Sequence, residues 1–365
     1  MNLSKLKYPL STLPIRLLDG VVKHIPSPTP VRFVIEKGNW SIKWDGLSIV
    51  NGVNHIIPNL ASVTTKPYLL SNKVVHFGSQ FQSVSWTKHM AQSNRMICTF
   101  FHGKKQDDAG MARHVDEFLE SVPHLDKVVT AATLIEKRLL EWGVPRHKLV
   151  RIPIGIDCQL FKPFTTEQKL LARQRYGIKP DQLVVGSFQK DGNGWGEGLD
   201  PKMIKGPDIL VKVAKELSKH SSILVFLTGP ARGYVKKNLD DLGIPYIHEY
   251  LDNYLDLPSR FAPLDVYINP SREEGGPKGI LEAMASGIFV VSTKVGMAPD
   301  VIEHHQNGAL ADIEDSDGIV QSILWAQDYP DDVSKIIFKA RQDILAYDWA
   351  NIAKAHYEDV YKGLI

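Results

Sequence analysis

Cysteine is scarce in this chain. Only Cys98 and Cys158 occur among 365 residues, far apart. That excludes a disulfide scaffold, and two reduced, buried thiols of a cytoplasmic protein are the expectation. No apolar stretch reaches the roughly 18 residues of a membrane-spanning helix. The longer apolar runs, such as Ile288–Val291, have the length of buried strands. Nothing repeats at a period of about 20–50 residues, and no tract is of low complexity. Residues 1–30 hold Lys5, Lys7, Arg16 and Lys23 but no continuous apolar core and no small-residue cleavage site, so no secretory signal is read there. No His/Cys cluster has zinc spacing. Aromatic residues are not interleaved with Lys and Arg as a nucleic-acid platform requires, so nucleic acid is not an expected partner.

What is present is an ordinary globular composition, 43% hydrophobic and 23% charged. The length suits two domains. The net charge of +2 conceals an asymmetry: residues 1–150 carry 19 Lys and Arg against 11 Asp and Glu, and the rest carry 24 against 30. A basic first half suggests an anionic partner, either an acidic membrane surface or a phosphate-bearing acceptor. Chance solvated charge gives the same balance.

Short β-type runs alternate with amphipathic segments of helix length. The runs are Val31–Glu36, Lys73–Phe77, Arg95–Phe101, Lys127–Thr130, Leu149–Pro153, Leu183–Phe188, Ile223–Gly229, Val266–Pro270 and Ile288–Ser292. Apolar strands alternating with helices predict parallel sheets covered on both faces. A strand and glycine turn at Ile152–Asp157, then the connector Leu160–Phe164, mark a domain boundary. A helix is expected over Thr166–Tyr176, stopped by Gly177. Two α/β domains result, residues 1–157 and 158–345, with a cleft between them. Ligands of such sheets sit at the carboxyl ends of the strands.

The segment Ile268–Gly287 is the richest in chemistry. A strand ends at Asn269-Pro270, a loop carries Gly275, Gly276 and Gly279, and a helix runs from about Lys278 to Ser286 before Gly287. Free amides at a helix N-terminus attract an anion. Carboxylates at Glu274 and Glu282 suit sugar or ribose hydroxyls instead. Hydroxyls at both ends with phosphate between describe a nucleotide sugar. A surface loop with an ordinary helix accounts for the pattern equally well on physics alone.

The segment resembles the signature of retaining glycosyltransferases of the family-4 type. It carries Pro270-Ser271, Glu274, Glu282, the run Leu281-Glu-Ala-Met-Ala-Ser-Gly287, Val290-Val291 and Gly296. The likeness covers most of residues 74–365. It implies the GT-B fold, an α/β architecture of two Rossmann-like domains facing a cleft, with a C-terminal helix (346–365) crossing back to the first. It also implies roles. Glu282 would bind the donor ribose and Glu274 the donor sugar at its reacting side. The loop of Gly275, Gly276, Lys278 and Gly279 would hold sugar hydroxyls and phosphate. The family's Gly-Phe-Gly is replaced by Gly275-Gly276-Pro277-Lys278-Gly279, where Pro277 removes an amide donor and Lys278 adds a cation.

A second segment, Val184–Gly198, is a strand running into a glycine-dense loop, followed by Lys202, Lys205 and Gly206. Its lysines suit a diphosphate leaving group, whose growing charge needs fixed cations. A flexible solvated loop is the bland alternative. The segment resembles the family's Gly-Arg … Lys-Gly element. Lys205-Gly206 supplies the second half, Ser187 stands at the Arg position, and Lys190 is the expected substitute. Gly229, in Leu227-Thr-Gly-Pro230, resembles the family's strand-end glycine beside the donor, and His248–Asn253 lies where backbone groups contact the base. In the first domain, Thr99-Phe-Phe-His-Gly103 resembles the element whose His, here His102, faces the donor sugar. His76 and Ser79 end a similar strand and are expected on the acceptor side. Asp315-Ser-Asp317 is read as a turn or cap rather than a metal site. Leu10–Ile25 admits an interfacial membrane helix or ordinary core packing. The domain lacks a glycine loop after its first strand, where Trp40 and Trp44 follow instead.

These readings lead to a metal-independent retaining glycosyltransferase without cofactor. It would take a UDP- or GDP-linked sugar donor and a glycan or lipid-linked acceptor for surface polysaccharide or glycolipid. It would work in the cytoplasm, with peripheral contact to an anionic membrane. The rivals are a nucleotide-sugar epimerase or phosphorylase on the same fold and a non-catalytic nucleotide-sugar-binding partner. A nicotinamide oxidoreductase lacks its phosphate loop in the proper place.

Overall fold

The structure, a computed structural model, describes residues 29–38 and 41–365. The segment Leu10–Ile25 with its basic neighbours, and Trp40, lie outside the described residues. The chain divides into two units. The first runs to Ile154 and regains Trp349–Ile365; the second is Gly155–Asp348. The divisions fall at 154/155 and 348/349 rather than at 157/158 and 345/346, since Asp348 is still bound to the second unit: its carboxylate accepts from the Cys158 amide at 3.2 Å.

In the first unit, β1 (Val31–Val34), β2 (Ala61–Thr64), β3 (Val74–Phe77), β4 (Arg95–Thr99), β5 (Lys127–Thr130) and β6 (Leu149–Arg151) form one parallel sheet in the order β2-β1-β3-β4-β5-β6. Val31 of β1 pairs with Ala61 on one side and Val74 on the other. Phe33, Ile97, Val129 and Ile152 build the core beneath the helix Ser41–Ile56. The returning helix Trp349–Ala355 packs on that same helix. Gly52 permits it, because a Cβ there would overlap Ala353. A π-helical turn, His356–Tyr361, then buries His356, Val360 and Tyr361.

In the second unit, β7 (Leu183–Phe188), β8 (Ile223–Thr228), β9 (Tyr246–Glu249), β10 (Val266–Asn269), β11 (Phe289–Thr293) and β12 (Ala309–Ala311) form a parallel sheet in the order β12-β11-β10-β7-β8-β9. β7 and β8 are buried along their whole length, as strands covered on both faces must be. The order reverses between β7 and β10. A crevice opens outside the carboxyl ends of strands at such a point, so the chain that follows Phe188 and Asn269 is where a ligand is sought. Among the described residues, no helix is long and apolar enough to cross a membrane.

Candidate functional site

Gly206 sets the geometry. It is left-handed, at φ 65°, and lies so close to the Pro270 carbonyl that no side chain fits. The tight turn Met203–Lys205 is thereby pressed against the end of β10, and the helix Pro207–Leu217 starts with a proline at its first position. Arg272 locks the turn from the other side. Its guanidinium donates to the Met203 carbonyl at 2.7 Å and to both Asp208 oxygens at 2.8 Å, and its amide donates to the Ile204 carbonyl at 2.8 Å. From the end of β7, Gln189 donates to the Lys205 carbonyl at 3.0 Å.

So held, Lys205 donates from Nζ to Glu274 Oε1 at 2.6 Å, and Ser271 Oγ donates to the same oxygen at 2.9 Å. Glu274 is buried. The Lys202 ammonium stands close by: burial lowers its pKa first, and Lys205 and Lys190 add to the fall while Glu274 opposes it. Lys205 thus pairs with Glu274 at the switch point, and Lys202 is close enough to feel both charges and that of Lys190. Crowded like charges are unfavourable without an anion to share them. Lys190 Nζ also lies 3.9 Å from the Trp195 ring centre.

Glu282 projects from the helix Lys278–Ala285 and is buried. Tyr254 donates its hydroxyl to Glu282 Oε1 at 2.6 Å, and Lys278 Nζ lies 5.2 Å from the Tyr254 ring centre. Gly279 brings the helix against Tyr267, whose hydroxyl would collide with any side chain there. Burial raises the Tyr267 pKa, and the Glu282 and Glu274 charges raise it further. The Gly275 carbonyl accepts from the Met297 amide at 3.0 Å, and Gly276 follows it, half-buried. Gly229, at φ 93°, rests against the Gln189 carbonyl at the end of β7 and accepts from His248 Nε2 at 2.8 Å.

Three expected positions are filled differently. Ser187 is fully buried and its carbonyl accepts from Arg232 at 2.7 Å, so it binds the interior and not a donor. In the first unit, His76 has 0% exposure, with one ring nitrogen 2.8 Å from Tyr361 Oη and the other 2.8 Å from Thr99 Oγ1. It ties the C-terminal turn to the sheet and offers nothing to an acceptor. Ser79 is a buried N-cap that accepts from the Phe81 amide at 3.2 Å. His102 lies beyond the carboxyl end of β4, half-buried, with its carbonyl held by Gln80 at 2.7 Å.

Sequence reasoning passed over Tyr254, Ser271 and Arg272 as site residues. Ser271 belongs to the Pro-Ser pair and Arg272 follows it, but nothing marked Tyr254 except its place after Asn253. Asp315 caps the helix Ser316–Asp328 by accepting from Gly318 at 2.8 Å. Among the described residues, no three His, Cys, Asp or Glu side chains gather as a metal site.

Two Rossmann-type parallel sheets in separate units, with the C-terminal segment returned to the first, make this a GT-B fold. Residues 199–343 match the family described as "Glycosyl transferases group 1". An uncharacterised glycosyltransferase of Methanocaldococcus jannaschii is 28% identical over 71% of this chain and 65% of its own length. The GDP-mannose-dependent α-(1-6)-phosphatidylinositol monomannoside mannosyltransferase of Mycolicibacterium smegmatis is 27% identical over 49% of this chain. The match spans 47% of that relative's length, so the chain corresponds to about half to two thirds of these relatives. The Anabaena protein HepE, solved with UDP and glucose, superposes with a TM-score of 0.74 at 16% identity, over 91% of this chain and 99% of its own.

Proposed function

We propose that the protein is a retaining glycosyltransferase that moves a sugar from a UDP- or GDP-linked donor to a glycan or lipid-linked acceptor. The observation that carries this reading is the buried Lys205–Glu274 pair at the β7/β10 switch point, with Lys202 beside it and Lys190 near Lys202. In this reading the donor diphosphate takes the place between the lysines. Glu282, oriented by Tyr254, accepts from the ribose hydroxyls. Glu274 receives hydroxyls of the donor sugar, and the amides of Gly276 to Gly279 add to its hold.

In the reaction, the bond from the anomeric carbon to the diphosphate breaks and a bond to the acceptor oxygen forms on the same face. The acceptor proton passes to the leaving phosphate. Front-face attack and a short-lived intermediate both give this outcome. The lysines neutralise the charge that grows on the diphosphate, a role worth most where water is excluded, and no metal or other cofactor is required for it. The basic surplus of the first 150 residues suits peripheral contact with an anionic membrane that carries the acceptor, from the cytoplasmic face, in surface polysaccharide or glycolipid assembly.

The test is release of nucleoside diphosphate from UDP-glucose and GDP-mannose, followed by NMR of the product's anomeric configuration. Release that falls at least about 100-fold with Lys205→Ala supports the reading. Conversion of the donor without release of nucleoside diphosphate points to an epimerase, and binding without any conversion points to a non-catalytic partner. An inverted product refutes retention.

A further inference from the structure

The glycine-dense loop after β7 closes on itself. The Lys202 amide donates to the Asp191 carbonyl at 2.7 Å, and the Asn193 amide donates to the Asp200 carbonyl at 2.8 Å. Gly192 faces Pro201 across an antiparallel bridge. Gly192 and Gly198 pack so closely on the Ala231 backbone that neither admits a side chain. The base of the loop is therefore fixed. It sets Lys190, just before the loop, within reach of the charge of Lys202, at its end. The tip is open instead. A side chain built on Gly194 or Gly196 would meet nothing within 4 Å. Trp195 stands between them, 60% exposed.

A tryptophan so exposed packs no core, but its ring is in use. The Lys190 ammonium lies 3.9 Å from the ring centre, where the negative face of an indole attracts a cation. Lys190 therefore has two places to put its charge. Repulsion from Lys202 drives it away from the lysines, and the Trp195 ring receives it. A diphosphate bound among the lysines reverses the balance. A cation–π contact at an exposed ring is weak beside the attraction between an ammonium and a phosphate oxyanion at similar range. When the diphosphate departs, the ring takes the lysine back. Ring and diphosphate thus compete for one ammonium.

We infer that Trp195 is a positioning residue that competes with the diphosphate for Lys190 and so eases release of the nucleoside diphosphate product. The inference rests on the donor-site reading above. UDP and GDP are titrated into the full chain by calorimetry. The emission of Trp195 is followed in parallel, as the part of the tryptophan fluorescence that Trp195→Phe removes. The nucleotide that binds should change this emission. In Lys190→Met the free protein should already show the changed emission, and saturating nucleotide should move it no further. Trp195→Ala should bind the same nucleotide about threefold more tightly, because no ring contact is given up on binding.

Tighter binding is the result that a merely structural role does not give. Weaker or unchanged binding by Trp195→Ala overturns the inference, since a ring that shapes the loop or touches the nucleotide gives those results. So does an emission change that survives Lys190→Met, because the ring then meets the nucleotide itself. The two readings fail distinguishably. Nucleotide binding with neither effect refutes the role of Trp195 alone, and binding of neither UDP nor GDP refutes the donor site and the inference with it.

Discussion

Replacing Arg232 by methionine tests how the strand ends beside the lysine cluster are held. Arg232 is 1% exposed. Its guanidinium donates to the carbonyls of Ser187, Gln189 and Thr228 at 2.7, 2.9 and 3.1 Å. Its Nε lies 3.1 Å from Asp191, which is fully buried, at ion-pair distance but off the hydrogen-bond line. Methionine keeps much of the length and none of the donors. Removing one partner of a buried ion pair costs about 3–5 kcal/mol. Each stranded carbonyl adds up to about 1 kcal/mol. Part of this is recovered, because burial already raises the Asp191 pKa and an abandoned carboxylate there takes up a proton.

The expected net loss is about 4 kcal/mol. Asp191→Asn keeps the shape and leaves Arg232 its three carbonyls, so it should cost about half as much. The double variant should cost less than the sum of the two by roughly 1–2 kcal/mol, since the pair is in contact. Urea unfolding of the full chain measures all three. A loss below about 1 kcal/mol for Arg232→Met, or strict additivity, refutes the reasoning.

Other outcomes follow from the same contacts. Tyr254→Phe removes the hydroxyl that orients Glu282 and should weaken nucleoside-diphosphate affinity about tenfold by calorimetry, with Glu274→Gln leaving that affinity within about threefold but abolishing turnover. Burial pushes the His356 pKa down to about 3, so the folded first unit holds it neutral. Its contribution is complete above the unfolded value of about 6.5 and is lost as pH falls towards 3, at up to about 1.4 kcal/mol per pH unit. His356→Asn should flatten that part of the stability profile measured by denaturant unfolding. Burial also pushes the Cys98 and Cys158 thiols up to about 12 and about 11, so neither should react with iodoacetamide at pH 8 until the protein is unfolded.

Much of the fold was legible because the inner strands are buried on both faces. β7, β8, β10 and β11 read as continuous apolar runs, and Gly177 and Gly287 stop their helices at φ 65° and 74°. The strands without a sequence signal, β2, β9 and β12, all lie at sheet edges. β9 pairs on one side only and is half-buried along its length, so Tyr246-Ile-His-Glu249 carries no apolar run. The same logic separates the site residues. Glu274 and Lys205 sit in glycine-marked turns, and Glu282 on the helix that follows one, so their chemistry is local in sequence. Ser187 was placed by resemblance and His76 and Ser79 by their position at a strand end, and whether such a residue faces outward depends on partners such as Arg232 and Tyr361, 45 and 285 residues away.

The most direct test of the account is whether the second unit's site holds a nucleoside diphosphate through Glu282. Thermal shift of the purified protein is measured against UDP, GDP, ADP, CMP and dTDP and their sugars, with and without EDTA. One nucleoside diphosphate should stabilise the protein selectively, by about 2.7 kcal/mol at a hundred times its Kd. EDTA should leave that gain unchanged, and Glu282→Ala should remove it. Stabilisation by none of them, or an undiminished shift in the Glu282→Ala protein, would contradict the account.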